Sequence, residues 1–372
     1  MPYGTIVADK ITTSDGYTLG GDGSHMKNRI INGTMVIDQR NAGVTANGTD
    51  ALYTLDRWKI TSYDGSAQTG KFSIQQNAGS ITPPSGFINY LGITSNAATS
   101  VGSTGQYLLQ QNIEGLNIAD LAWGTSSAKT VTLSFWVRSS LTGTFGGSIL
   151  NSGVNRSYPF SYTISSANTW TFITIVVPGD TSGTWLTTTA IGMRVEFSLG
   201  VGSSTQGPAN TWASTRYDSV SGETKLVATN GATWYITGTQ LEVGSTATSF
   251  DYRPYGTELQ LCQRYYYSSG TGNQAYTVMG NGWEYSSTFA QVYCPLPTPM
   301  RVPPTSVSYS TLQTNNSAAG NPSVSSLSLA TTECSTIAGK VNVTISGGTA
   351  GAVCMLRAAN STSGYIAFNA EL

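Results

Sequence analysis

The chain has 372 residues, a formal net charge of −1 and only 10% Asp, Glu, Lys and Arg, against about 25% in an average globular protein. No basic stripe is present to displace counterions from phosphates, which argues against a nucleic-acid partner. An aromatic content of 10% argues against disorder, which goes with few aromatics and high net charge.

At roughly 100–200 residues per domain, this length predicts two domains and an appendage. Glycine, Ser and Thr are abundant, so the composition reads as all-β, with short Thr/Val/Tyr/Trp-rich strands joined by Gly, Asn and Ser turns. Scarce charge means weak self-repulsion and suits a subunit that buries surface against partners.

Residues 1–27 form a unit of their own. GTIVADKITT alternates Ile6, Ala8 and Ile11 imperfectly with polar residues and runs into the Gly-rich GYTLGGDGS. A single strand on a glycine tether cannot bury its own face, and its backbone groups need partners. The segment therefore reads as an attachment arm that adds to another subunit's sheet or docks on a larger assembly, with Tyr3, Ile6, Val7 and Ile11 as contact residues; the alternative is a frayed terminus. Met1–Gly16 has no apolar core of the signal-peptide kind. The chain has no run of about 18 apolar residues either, so no membrane span is expected.

Residues 28–257 carry the clearest strand patterning. In TVTLSFWVRSS, Val131, Leu133, Phe135 and Val137 point one way, and Thr132, Ser134, Trp136 and Arg138 the other. In IGMRVEFSLG, Ile191, Met193, Val195, Phe197 and Leu199 share a face, with Arg194 and Glu196 opposite. Such alternation predicts sheets with one face buried, hence a β-sandwich. No helix is expected before residue 255. Leu259, Cys262, Tyr265 and Tyr266 then recur at helical spacing and predict a short helical connector over Gly256–Ser269. Residues 258–372 return to strands and read as a smaller β-sandwich, with the proline-rich stretch 295–304 as a loop or edge.

Chemistry has few carriers here. The single histidine, His25, sits in the tether and reads as a solvated linker residue, which removes the common nucleophilic triads and metal sites. Cys262, Cys294, Cys334 and Cys354 lack CxxC spacing, so zinc is not expected and they read as mostly buried free thiols. Paired carboxylates for glycoside hydrolysis would have to come from sets such as Asp38 with Asp56 or Asp180 with Glu196, whose convergence the sequence does not show. GTFGGS and GVGSS are turns rather than phosphate loops. Trp136, Trp212, Tyr217, Trp283 and Tyr285 are candidates for flat sugar-holding faces, against the plainer reading of core or interface residues. Four of them, Trp212, Tyr217, Trp283 and Tyr285, are taken as carbohydrate-binding candidates.

The densest charge lies in INGTMVIDQRNAG and YTLDRW, where Asp38, Arg40, Asp56, Arg57 and Trp58 fall close together. With no companion base, the cluster reads as a structural latch: adjacent strands with Arg paired to Asp and Trp58 covering the pair.

The ordered set NRIINGTMVIDQRNAG, YTLDRW, Trp123-Gly124-Thr125, TLSFWVRSS, TGTQLEVGS and FDYRPYGTELQLCQRYY resembles a domain of tail-fibre and other virion structural proteins of tailed bacteriophages. The resemblance covers about residues 28–267, and PMRVPPT with YIAFNAEL is similar to a small terminal β domain that often follows. The resemblance implies two jelly-roll-like sandwiches, the first similar in layout to galactose-binding-like, carbohydrate-binding modules. Such modules often hold a structural calcium, but no ligand set for one is identifiable here and no cofactor is expected. It further implies a homotrimer in the virion, assembled in the host cytoplasm, whose arm binds other virion proteins of tail, baseplate or capsid. The expected function is a short tail fibre or tail appendage touching host surface polysaccharide, and not an enzyme. The alternatives are a capsid decoration or head fibre, since a long shaft is missing, and a glycan depolymerase.

Overall fold

The computed structural model describes residues 26–372 apart from 271–273, 317 and 319, together with a short hairpin pairing Ile11–Thr12 antiparallel with Thr18–Leu19. Of the expected arm, only this two-residue pairing and Met26–Lys27 are described. Tyr3, Ile6 and Val7 lie outside the described residues.

The protein is all-β with two sandwiches and, among the described residues, one α-helix, Tyr255–Gln263. In the first sandwich a five-stranded sheet runs Ser157–Ile164, Gly143–Asn151, Ile191–Val201, Gln106–Glu114, Lys59–Tyr63 in spatial order. It faces a six-stranded sheet ordered Thr171–Val177, Val131–Ser139, Thr233–Val243, Leu91–Ser95, Thr69–Gln76, Ala46–Thr49. The core between them is built from the expected alternation: Val131, Leu133, Phe135 and Val137 meet Met193, Val195, Phe197 and Leu199, all fully buried. Each such side chain contributes on the order of 1.5–3 kcal/mol by leaving water. Ile191, at the strand's start, is only half-buried.

The opposite faces depart from simple alternation. Thr132 and Ser134 are buried because residues 244–252 fold over them, with the Thr132 hydroxyl donating to the Gly244 carbonyl at 2.8 Å. Glu196 is buried because a strap, Gly202 to Glu223, crosses the outer face of the five-stranded sheet. Among the described residues before 255, the helical content is confined to short 3-10 turns such as Ala119–Leu121.

Two motifs distant in sequence close the sandwich together. Strand Thr233–Val243 bulges between Thr237 and Gln240. Asn28 donates its side-chain amide to the Thr239 carbonyl at 3.0 Å and accepts from the Leu241 amide at 3.0 Å, while the Thr239 amide reaches the Gly33 carbonyl at 3.0 Å. A Cβ on Gly33 would lie 2.2 Å from the Thr239 carbonyl oxygen, so this close approach requires glycine.

The helix leads into the second sandwich. Strand Tyr266–Ser268 joins Tyr365–Asn369 and Ser306–Ser310 in a three-stranded sheet. That sheet packs through Ile366 and Phe368 on a six-stranded sheet ordered Leu312–Asn315, Val353–Ala358, Val278–Ser286, Phe289–Pro295, Ala338–Ile345, Val324–Leu329. A third small core of Ile31, Ile37, Cys262 and Tyr265 joins the domains, with Leu372 packed on it. All four cysteines are free thiols, and Cys334 alone is half-buried.

Candidate functional site

Arg40, Asp56, Arg57 and Trp58 converge, on turns rather than on the adjacent strands expected, while Asp38 stays on its own turn. Asp38 caps its own turn, accepting from the Asn41 amide at 2.9 Å and the Gly43 amide at 2.7 Å. Asp56 is fully buried and accepts from the Gln39 backbone at 2.7 Å and the Gln39 side chain at 2.6 Å. Burial pushes its carboxyl up to about 6, with Arg40 and the Gln39 bonds opposing. Trp58 is buried against Phe197 and donates its indole N–H to the Asn32 carbonyl at 3.0 Å.

The expected Arg–Asp pair does not form. Arg57 and Arg40 both bind Glu371, from the far end of the chain, Arg40 at 2.9 Å. The Arg57 guanidinium also donates to the Asn112 carbonyl and lies 3.6 Å from the centre of the Tyr265 ring. Arg40 covers Tyr266 at 3.7 Å. The neighbouring Leu372 carbonyl accepts from the Tyr53 hydroxyl and from Asn112 at 2.9 Å. Burial, then the Glu371 charge, push the Tyr53 phenol up to about 12. Next to this, Glu114 takes a fork from Arg264 at 2.9 and 2.6 Å and the Tyr265 hydroxyl at 2.7 Å. The arrangement clamps the domain junction, and its carboxylates are occupied by structural partners.

The aromatic candidates separate. Trp212 belongs to a corner with Trp123, Trp185 and Tyr158, its indole N–H on the Pro178 carbonyl at 2.8 Å. Arg156 forks onto Asp180 beside it at 2.8 and 2.6 Å. This is packing, not a free face. Tyr217 lies on the strap with its ring over Gly207, where a Cβ would meet it at 2.3 Å. It borders an open groove of about 560 Å³ with Thr144, Ser161, Gln206 and Ser221.

Trp283 and Tyr285 stand on the solvent face of the second domain's large sheet, 42% and 52% exposed, with ring centres 5.3 Å apart. Cross-strand register puts Gln291 opposite Trp283 and Asn342 opposite Gln291, joined by a 2.9 Å amide hydrogen bond. Lys340 reaches to 5.5 Å from the Trp283 ring, and Tyr293 is half-exposed in the next row. Flat rings beside amides and an ammonium can hold a sugar's C–H face and hydroxyls.

Sequence reasoning named Trp136 but missed the aromatic surface that it joins. Phe87, Trp136, Phe172, Phe250 and Tyr252 line a groove of about 450 Å³ on the outer face of the first domain's larger sheet. Its floor is Gly238, at φ +61°, where a Cβ would lie 2.6 Å from Phe87. Among the described residues, no group of three or more His, Cys, Asp or Glu is arranged to hold a metal ion.

No family model and no curated protein matches the chain. Among solved structures it is similar to the enzymatically active domain of bacteriophage CBA120 tailspike protein 4, at 13% identity and TM-score 0.33, over 59% of this chain and 22% of that one. It is similar to the N-terminal cellulose-binding domain of a Cellulomonas fimi β-1,4-glucanase, at 14% identity and TM-score 0.24, over 43% of this chain and 80% of that one. It is also similar to a family 11 carbohydrate-binding module from Clostridium thermocellum in complex with a mixed-linked tetrasaccharide, at 12% identity and TM-score 0.25, over 54% and 94%. This chain thus spans less than a quarter of the tailspike chain.

Proposed function

We propose that the protein is a virion structural subunit of a tailed bacteriophage, a short tail fibre or tail appendage, attached through residues 1–27 and contacting host surface glycan with its C-terminal domain. The motif set supports the virion reading. The observation that carries glycan contact is the exposed Trp283–Tyr285 pair beside Gln291, Asn342 and Lys340. Contiguous exposed apolar patches rimmed by polar residues mark interaction sites. The chain binds sugar without cleaving it, and three copies associate.

The test is titration of host polysaccharide against tryptophan fluorescence. Trp283→Ala weakens binding about tenfold, about 1.4 kcal/mol, with an unchanged melting temperature. Trp212→Ala lowers melting instead. No binding by the wild type to any host polysaccharide sinks the reading, as does shortening of the polysaccharide on incubation for the non-enzymatic part. Light scattering returns three times the chain mass; a monomer mass refutes the trimer.

A second reading, a capsid decoration or head fibre, draws support from Val353, 77% exposed on the same face. There the face would pack on protein, and gold-labelled antibody on intact particles would mark the head.

A further inference from the structure

Glu196 and Asp218 meet beneath the strap. Glu196 projects from the outer face of the five-stranded sheet, and Asp218 comes down from the strap onto it. Both are fully buried and within hydrogen-bonding reach of each other. Neither oxygen of Glu196 has a donor, nor does Asp218 Oδ2, nor the hydroxyl of Ser148 opposite Glu196 on the next strand. Buried acceptors without donors are rare in folded proteins. Two carboxylates facing each other cannot satisfy one another, but a carboxylic acid and a carboxylate can.

We propose that Glu196 and Asp218 hold a single proton between them, and that this proton fastens the Arg216–Glu223 part of the strap to the sheet. Loss of the proton leaves two anions in contact in a site closed to water. The sheet strand is locked on both sides by its neighbours, so the strap is the part that yields. The Asp218 amide reaches the Thr205 carbonyl at 2.8 Å, the Ser221 amide reaches the Gly207 carbonyl at 3.3 Å, and Arg216 bridges Asp218 at 2.7 Å to Gln106 at 3.0 Å. Its other ties there are the parallel pairing of Gln206–Gly207 with Ser219–Val220 within the strap, the Tyr217 amide on the Ser157 hydroxyl at 3.2 Å, and Glu223 accepting from the Ser198 hydroxyl at 2.9 Å and the Val201 amide at 2.7 Å.

The surrounding charges are mixed. Arg216 lies on the strap, Arg194 on Glu196's own strand and Lys59 two strands away. Glu223, on the strap, is held by Ser198, Ser219 and the Val201 amide, with Lys225 near it. Burial, followed by the Asp218 charge, outweighs the two arginines and pushes Glu196 up to about 8. The proton is therefore retained at neutral pH and released in mildly alkaline solution. Strap loosening would also lift Tyr217 off Gly207 and dismantle the groove beside it. The inference needs no ligand and stands apart from the glycan reading.

Hydrogen exchange of the intact protein, followed well below and well above pH 8 and corrected for intrinsic rates, tests it. The expected result is a severalfold rise in exchange of the Arg216–Glu223 peptide above the transition in the wild type. In Glu196→Gln the step is absent, and Asp218→Asn repeats the result if the first variant does not fold. An infrared carboxylic-acid band should titrate over the same range in the wild type. A wild-type strap whose exchange shows no step, a step that persists in the folded variants, or no titrating acid band overturns the proposal.

Discussion

Arg57 shows how this chain uses its few charges. Its guanidinium is fully buried, sits between Glu371 and the Asn112 carbonyl and stacks on Tyr265. Its backbone is left-handed at φ +71°, a conformation costing a non-glycine residue about 1–3 kcal/mol and sustained only when the surroundings over-determine it. Arg57→Ala leaves Glu371 with Arg40 alone. The expected loss is about 3–5 kcal/mol, read as a lower urea midpoint; a change below about 1 kcal/mol would contradict the clamp. Gly238→Ala should be destabilising by about 1–3 kcal/mol, because its Cβ would collide with Phe87 at a positive φ. Equal stability in chemical denaturation would contradict it. The importance of Arg57 was legible from the local density of charge. Its partner was not, because Glu371 lies 314 positions away.

Among the elements, strand and helix identity followed local period, while coverage did not. Leu259 and Cys262 marked the connector, but the helix ends at Gln263, so Tyr265 follows it and Tyr266 opens the strand Tyr266–Ser268 instead of continuing a helix to Ser269; pairing with Tyr365–Asn369 takes over from the helical period. Alternation also sorted Val131 to Val137 correctly, yet it placed Thr132, Ser134 and Glu196 towards solvent. A loop and a strap roof these positions, and a period of two along one strand carries no information about what crosses above it. The C-terminal segment behaves as such an element. Glu371 and Leu372 receive Arg40, Arg57, Tyr53 and Asn112 from the first domain. Deleting these two residues should lower the melting temperature and split calorimetric unfolding into two transitions, because cooperativity between domains needs the junction. One transition at the wild-type temperature would show that the clamp does not couple them.

Across the whole molecule, burying unneutralised acids makes stability depend on pH in an unusual direction. Asp56 and Glu196 are raised to about 6 and about 8 by burial. The folded state therefore binds more protons than the unfolded state between the ordinary carboxyl range, about 4, and those values. Stability contributed by each group is fully present below about 4 and is lost as pH rises, through about 6 for Asp56 and about 8 for Glu196. Thermal melting should thus decline from pH 5 to pH 9 by way of these two groups, and Glu196→Gln should flatten the upper part of the decline. A wild-type melting temperature that rises over this range would contradict the assignment.

Sequence alone determined the all-β class, the two-sandwich layout, the short helical connector and the residues that face the first core. The division into two follows from chain length, and the rest from periodicity and turn chemistry within a few neighbouring residues. Tertiary structure alone decided that Arg57 answers to Glu371, that Glu196 meets Asp218 under a roof, and that Trp283 stands in water while Trp212 is packed in a corner. Those outcomes depend on which distant segments arrive at the same place, and spatial proximity between distant segments leaves no trace in the spacing of residues along one of them.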